Sequence, residues 1–277
     1  MKNKRLNLVA LLTMFTTTLM LTSCQKQKDD NSFLTADNSA LADESFNDAN
    51  NIADEAAQNG SVSYKTDDSN SLTTCATVTR DTVSMPRVTT VDFGSGCTGI
   101  DGKTRKGKIL VSYDGEYRAP GTTITITFDN FFVNDNQVLG TKTIHNNGAN
   151  SAGHLAFAID VNGQIILGSG EGTINWTSQR LREWIAGEPT PNRDDDQYSI
   201  TGTASGTACN GNTFNATIMQ PLIRNLAPLC RRHFVAGTVL VETPGNPDRT
   251  IDFGNGNCDD QAVVTVNGHS HTITLRR

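Results

Sequence analysis

The chain of 277 residues lacks the short motifs by which several enzyme classes are recognised. It has no G-x-S-x-G elbow, no H-E-x-x-H helix and no C-x-x-C pair, which argues against an α/β-hydrolase, a zinc protease and a thiol redox enzyme. The kinase tripeptide D-F-G occurs twice, at Asp92 and Asp252, but without the other kinase motifs. No catalytic residue is therefore predicted. A glycan-active hydrolase stays open, because its carboxylates carry no local motif.

The sequence also lacks a helical run long enough to cross a membrane. The apolar stretch at residues 8–21 spans 14 positions, whereas a membrane-spanning helix needs roughly 20. A basic stripe is missing too: the net charge is -6, and residues 25–70 hold ten acidic side chains against three lysines. We therefore expect no nucleic-acid partner. No cofactor is predicted either.

What the first residues do contain is the pattern of an export signal. A basic start is followed by the apolar stretch, and this ends in Leu21-Thr22-Ser23-Cys24. The order of residues resembles the signal peptide and lipobox of a bacterial lipoprotein. That resemblance implies removal of residues 1–23, attachment of fatty acyl chains such as palmitate to Cys24, and the membrane as a partner through that lipid.

The residues just after Cys24 carry a second resemblance. Lys28-Asp29-Asp30 is similar to the signal that carries lipoproteins of Bacteroidota to the outside of the outer membrane. The alternative is that these residues merely begin a solvated acidic tether. The resemblance to a Bacteroidota-type outer-membrane lipoprotein implies a lipid-anchored protein exposed at the cell surface.

The chain divides by composition into a tether and a β-rich region. Residues 24–70 are polar and acidic, which predicts a flexible spacer over residues 25–40. Within this tether, the stripe Ala42, Phe46, Ala49, Ala53 and Ala56 predicts a helix at about 38–58. A stripe made mostly of alanine buries little area, so the helix is expected to dock weakly or to form only in part.

Residues 71–277 alternate threonine with valine, isoleucine or phenylalanine, the pattern of half-buried strands. Turn signals at Asn134-Asp135-Asn136, Asn162-Gly163 and Asn267-Gly268 favour short hairpins. The sequence thus predicts an all-β fold, an antiparallel meander of roughly ten to twelve strands in an extended or rolled sheet. Residues 219–229 hold two prolines and predict a break in the sheet. One continuous sheet is preferred over two domains.

A repeated element lies near each end of the β-rich region. Each copy joins an upstream cysteine to a D-F-G-x-G return that ends in a second cysteine, which predicts two stapled units at about 75–113 and 230–275. The repeat predicts the disulfides Cys75–Cys97 and Cys230–Cys258 in an oxidising compartment. Cys209 is then left over, either as a reactive thiol or as a partly buried cysteine beside a hairpin.

The strand at residues 176–184 offers a candidate ligand surface. Its alternate positions hold Trp176, Arg180, Arg182 and Trp184 on one face, a set suited to stacking a sugar or gripping an anionic polymer. The alternative is a structural cation–π ladder that covers one side of the sheet, with Leu181 in the core on the other side.

Metal binding is not predicted. His269 and His271 share one face of a strand, and His233 is the only further ligand considered, but no third ligand is placed by the sequence. The run at residues 194–196 supplies three carboxylates without the spacing of a calcium loop. The sequence therefore predicts no metal ligands.

The sequence favours a lipid-anchored cell-envelope protein that acts as a binding or structural module, with a glycan or a protein as the candidate ligand. The alternative is a glycan-active hydrolase on a β-scaffold. Two carboxylates about 5–10 Å apart in a pocket would favour the hydrolase.

Overall fold

The computed structural model describes residues 23–58, 73, 75–81, 83–99, 101–117, 119–190, 192–231 and 233–275. These residues form one helix and fourteen strands. In chain order they are α1 (Ser23–Gln58), β1 (Thr77–Asp81), β2 (Arg87–Asp92), β3 (Cys97–Thr98), β4 (Thr104–Tyr113), β5 (Thr123–Val133), β6 (Asn136–Ala149), β7 (Leu155–Ile166), β8 (Thr173–Ala186), β9 (Gln197–Thr207), β10 (Thr213–Asn225), β11 (Phe234–Glu242), β12 (Arg249–Asn255), β13 (Gln261–Val266) and β14 (His269–Thr274).

All the strands belong to one antiparallel sheet. Sequential strands are neighbours from β1 to β14, except that β2 pairs directly with β4, and the short β3 pairs only with β4. The sheet is not closed, so β1 and β14 are its edges among the described residues. The predicted all-β meander is confirmed. The strand number exceeds the predicted ten to twelve, partly because β3 has only two residues and gives no periodic signal.

Two of the three predicted turns are confirmed. Asn134 and Asp135 join β5 to β6 with φ values of 46° and 68°, and Asn267 and Gly268 join β13 to β14 with φ values of 50° and 77°. Asparagine, aspartate and glycine tolerate this left-handed region better than other residues, which is why these pairs favour two-residue hairpins.

The third predicted turn, at Asn162-Gly163, is wrong. Strand β7 runs through both residues without a break, from Leu155 to Ile166. A Cβ atom on Gly163 would overlap the ring of Phe46 from α1. This glycine therefore leaves room for a helix side chain rather than making a turn.

The break predicted at residues 219–229 is also wrong over most of its length. Strand β10 continues to Asn225 and contains Pro221. The pairing register of β10 with β11 shifts between Ile218 and Ile223. An irregular stretch of this kind accommodates a proline inside a sheet, because the missing N–H falls where ladder pairing is already interrupted.

Helix α1 lies on one face of the sheet, and we name this the inner face. The helix contacts β2, β4, β5, β7, β8, β10 and β12, so the sheet wraps around it. Residues Ala42, Phe46, Ala49, Ala53 and Ala56 are fully buried. The weak docking predicted for this helix is therefore wrong.

The helix also begins at Ser23 rather than near residue 38, so residues 25–40 do not form the predicted spacer. Thr35 and Asn38 are already buried against the sheet. The predicted signal peptide lies outside the described residues apart from Ser23, and so do residues 59–72. No helix among the described residues is long and apolar enough to span a bilayer.

Both predicted cysteine pairs lie at disulfide distance. The Cα atoms are 6.0 Å apart in Cys75–Cys97 and 4.4 Å apart in Cys230–Cys258, within the range that a disulfide needs. Cys209 is free and half-buried. The pairing inferred from the repeat is confirmed.

The two D-F-G copies have the same local structure. Asp92 accepts a hydrogen bond from the backbone N–H of Gly94 at 2.8 Å, and Asp252 accepts one from Gly254 at 2.8 Å. The phenylalanine of each copy is buried and packs on another phenylalanine. The aspartates therefore shape a strand end, as the absence of other kinase motifs predicts.

Candidate functional site

The predicted Trp/Arg ligand surface is not on the outside of the molecule. Trp176, Arg180, Arg182 and Trp184 all point to the inner face of β8 and are buried. The opposite face, which includes Leu181, is the solvent side, and Leu181 is 37% exposed. The candidate ligand surface is therefore wrong in this structure. Period-two alternation separates two faces of a strand, but does not say which face is covered.

These four side chains instead hold α1 and the neighbouring strands. The Trp176 ring stacks on Phe46 with centroids 5.6 Å apart. The guanidinium of Arg182 lies 4.9 Å from the ring centres of Phe157 and of Tyr198. Arg182 thus makes cation–π contacts with two neighbouring strands rather than with the tryptophans of the proposed ladder, and Leu181 is not in the core.

The charges of α1 are matched by bases on the surrounding sheet and turns. Five acidic side chains of the helix each lie within 4 Å of a basic side chain, and most of these groups are buried. The pairs and their N–O distances are Glu44–Lys103 (3.0 Å), Asp48–Arg105 (2.6 Å), Asp43–Arg180 (3.5 Å), Asp54–Arg182 (3.8 Å) and Glu55–Arg193 (3.3 Å). The inner face of the sheet is thus basic, and an acidic helix covers it.

Burial and pairing shift the pKa values of the two helix carboxylates nearest Lys103 in opposite directions. Burial alone would raise the pKa of Asp48, but Lys103 and Arg105 more than offset it, and the pKa lies below its ordinary value. Burial raises the pKa of Glu44 despite its contact with Lys103. These ion pairs hold the helix on the sheet and are buried between the two, so they do not form an open reactive site.

The interior has little free volume beside these charges. A cavity between α1 and strands β8 to β12 measures about 30 Å³ and is lined on its polar side by Asp43, Glu44, Arg180, Arg224 and His233. That volume holds roughly one or two water molecules. No substrate-sized pocket therefore opens at this position.

A much larger depression lies on the opposite, outer face of the sheet. We name it the outer groove. Its volume is about 810 Å³, within the range of small-ligand sites. It is lined by Thr141, Thr143, Asp160, Val161, Asn162, Thr177, Ser178, Gln179, Thr203, Ala204, Ser205, Asn215, Thr217 and Glu242.

The strand register arranges these side chains in two parallel rows across β6 to β11. One row passes through Thr143, Asp160, Gln179, Thr203 and Thr217, which are partners on successive strands. The second row lies two residues along each strand and is formed by Thr141, Asn162, Thr177, Ser205, Asn215 and Glu242. With strands about 4.8 Å apart, six strands give a groove roughly 24 Å long.

The chemistry of the outer groove is hydrogen bonding rather than stacking or ion pairing. Hydroxyl and amide groups dominate its lining, which contains no lysine, arginine or aromatic residue. Its two carboxylates, Asp160 and Glu242, lie on β7 and β11, so they are roughly 19 Å apart along the sheet. A retaining or inverting glycosidase needs its carboxylates within about 10 Å.

The sequence did not single out the outer groove. Its residues are common surface types, and only the register of six strands brings them together. The alternation of threonine with apolar residues in this region indicates an outward polar face, and this was the one available signal.

The histidines considered as metal ligands are not brought together. His269 and His271 lie on the edge strand β14, whereas His233 is buried with Nδ1 3.6 Å from a carboxylate oxygen of Glu44. Within the described ranges, no group of three potential metal-ligating side chains occurs.

Comparison with known proteins adds no family to this geometry. No protein-family model matches the chain, and the searches of curated proteins and of solved structures found no significant match. The class that the fold defines is therefore structural: an open antiparallel meander that encloses its own N-terminal helix.

Proposed function

We propose that this protein is a lipid-anchored binding module of the bacterial outer membrane, exposed at the cell surface, and that it binds an uncharged glycan chain along the outer groove. The observation that carries the binding proposal is the pair of hydroxyl- and amide-rich rows spanning six neighbouring strands. The anchor and the location rest on the resemblance of residues 1–30 to an exported lipoprotein.

The lining of the groove supports a neutral, hydroxyl-rich ligand. Hydroxyl and amide groups both donate and accept hydrogen bonds, which suits the hydroxyl groups of a sugar. An acidic polymer would meet Asp160 and Glu242 with no lysine or arginine in the lining to balance them. The extended form of the groove suits a chain rather than a compact metabolite.

The same geometry favours binding over hydrolysis. The carboxylates of the groove are too far apart to act together on one glycosidic bond. The acidic side chains Glu44 and Asp48 of α1 are engaged with bases of the inner face. The outer groove therefore supports binding and gives no support to the hydrolase alternative.

A binding experiment on the mature chain tests the proposal. A glycan array of neutral and acidic chains is followed by calorimetry with the neutral glycan that binds. Replacing Asn162 and Gln179 together by alanine should weaken binding by about tenfold or more, because one lost hydrogen bond contributes on the order of 1 kcal/mol.

A matched control is a substitution on the same outer face of the sheet but outside the groove. Thr250 lies on β12 outside the groove lining, so Thr250→Ala should bind as the unaltered protein does. Equal binding by the groove variant and the control would reject the groove as the site. Binding only to acidic glycans would reject the ligand class. Protease shaving of intact cells, compared with lysed cells, tests the surface location.

A further inference from the structure

The turns of the meander fall on two opposite rims of the sheet, because successive antiparallel strands reverse direction. We name one set the N-rim; it comprises the connection from β2 to β4, described at residues 93–99 and 101–103, and the turns at residues 134–135, 167–172, 208–212, 243–248 and 267–268. The other set is the C-rim; its described residues are 83–86, 114–117, 119–122, 150–154, 187–190, 192–196, 226–231, 233 and 256–260.

Helix α1 enters the sheet at the N-rim. The Thr243 hydroxyl lies 3.0 Å from that of Thr35, and the side chain of Asn38 accepts a hydrogen bond from the backbone N–H of Cys209 at 2.9 Å. The ring of Phe33 lies 5.8 Å from that of His271 on the last strand. All three contacts tie the start of the buried helix to this rim.

The other end of α1 lies at the C-rim. The hydroxyl of Tyr117, in the connection between β4 and β5, donates to Asp54 at 2.7 Å. Arg193, in the connection between β8 and β9, pairs with Glu55 at 3.3 Å. The helix therefore crosses the inner face from one rim to the other, along the strand direction.

The length of chain between Cys24 and Phe33, whose ring contacts the N-rim, limits where a lipid on Cys24 can sit. Phe33 follows Cys24 by nine residues, which span about 14 Å as a helix and no more than about 32 Å fully extended. Strand β7, with 12 residues, separates the two rims by roughly 40 Å. Even an extended segment would leave the C-rim out of reach.

We propose that the N-rim faces the lipid bilayer and that the C-rim points away from it. This inference rests on the proposed lipidation of Cys24, and adds the orientation that α1 imposes. Because α1 is held by buried ion pairs along the inner face, the anchor is joined to a fixed point of the sheet. The domain cannot turn over on a long tether.

The charged side chains of the N-rim limit how closely it approaches the bilayer. The exposed charged side chains of the N-rim connections are Asp135, Glu171 and Asp248, whereas Lys103 is buried and paired with Glu44, and Asp101 is paired with Arg105. Anionic headgroups therefore repel this rim, and it stands off the bilayer. The C-rim carries Val83 and Leu229, which are 93% and 85% exposed. The proposed orientation points these apolar side chains toward solution and away from the lipid.

Energy transfer from a dye on each rim to labelled lipid tests the orientation. Ser169 and Ala152 are exposed turn residues at opposite ends of β7, on the N-rim and the C-rim respectively. Ser169→Cys and Ala152→Cys, each in a Cys209→Ser background, are labelled without reductant so that both disulfides stay closed. The lipidated chain is then placed in phosphatidylethanolamine and phosphatidylglycerol vesicles that contain a headgroup-labelled acceptor lipid.

Transfer from the dye at position 169 should be several-fold more efficient than transfer from position 152. Equal transfer, or greater transfer from position 152, would overturn the orientation. A second pair, Asp248→Cys on the N-rim and Ser84→Cys on the C-rim, serves if either first variant fails to fold. Mass spectrometry of the N-terminal peptide tests the proposed lipidation separately from the proposed orientation. A chain without lipid on Cys24 overturns the proposed anchor, whereas a lipidated chain with equal transfer overturns the orientation alone.

Discussion

Lys142 illustrates how strongly the enclosed helix changes the chemistry of a single side chain. It lies on the inner face of β6, is 2% exposed, and its ammonium group donates to the backbone carbonyl of Phe46 at 3.2 Å. Burial, together with the positive charge of Arg182, lowers the pKa of Lys142 to about 7. In the unfolded chain a lysine has a pKa of about 10.4.

This difference predicts a pH dependence of stability with a definite sign. Below about pH 7 both states are protonated, and the cost of burying the charge is present in full. Between about 7 and 10.4 the unfolded state holds more protons, so the free energy of unfolding rises with pH by up to about 1.4 kcal/mol per unit. Lys142→Met should remove this rise and stabilise the protein by about 1–3 kcal/mol near neutral pH.

Urea unfolding of the unaltered protein and of Lys142→Met between about pH 6 and pH 9 measures how their stability difference depends on pH. The advantage of Lys142→Met should be largest at the acidic end and shrink as the pH rises. Lys108→Met removes a lysine whose side chain is 43% exposed and should show no such advantage. A constant difference between Lys142→Met and the unaltered protein across the range would contradict the prediction.

At the scale of elements, the strands and the existence of a helix at 38–58 were predictable, but the start of the helix at Ser23 and its firm docking were not. Strands such as β5 alternate threonine with apolar residues, and local alternation suffices to recognise them. Helix α1 has no broad apolar stripe because much of its buried surface is charged, and its acids are satisfied by bases far away in sequence. The wrongly predicted turn at Asn162-Gly163 has the same origin, since only the docked Phe46 explains that glycine.

The outer groove was missed for a related reason. Each strand shows its polar face, but the sequence does not give the register that aligns Asn162 with Thr177 and Thr177 with Ser205. Register depends on turn lengths and on which face is covered. The Trp/Arg set on β8 is buried because α1 covers it, and the alternation along β8 does not show which face is covered.

The docking of α1 yields a second prediction, centred on Asp48. Its carboxylate accepts hydrogen bonds from Arg105 at 2.9 and 2.6 Å in a buried setting. Asp48→Asn should lower the free energy of unfolding by about 3 kcal/mol, since breaking a buried ion pair leaves a poorly compensated charge. Because the pKa of Asp48 is lowered from 3.8, its contribution is fully present above that value and is lost as the pH falls through the lower folded pKa.

The matched control is Asp43→Asn on the same helix. Its pair with Arg180 is longer, at 3.5 Å, and Asp43 is more exposed, so the loss should be about 1 kcal/mol or less. Urea unfolding near neutral pH compares the two variants. A loss for Asp43→Asn equal to that for Asp48→Asn would show that the helix is not held mainly by its buried pairs.

At the scale of the whole molecule, an open sheet has two edges where unfolding can begin, and each disulfide lies toward one of them. Cys75–Cys97 joins the segment before β1 to β3, and Cys230–Cys258 joins the turns that flank β11 and β12. The loops they close span 22 and 28 residues. Loop length enters the chain-entropy cost only as a logarithm, so the two disulfides should stabilise the fold almost equally.

Replacing both cysteines of either pair by serine should therefore lower the free energy of unfolding by about 3 kcal/mol. The pairs lie on well-separated strands of the sheet, so the two losses should add when all four cysteines are replaced. Cys209→Ser, which removes a free thiol, is the control and should change stability little. Urea unfolding under non-reducing conditions gives all four values. A combined loss well below the sum would mean that the two ends of the meander unfold as one coupled unit rather than as separately stapled edges.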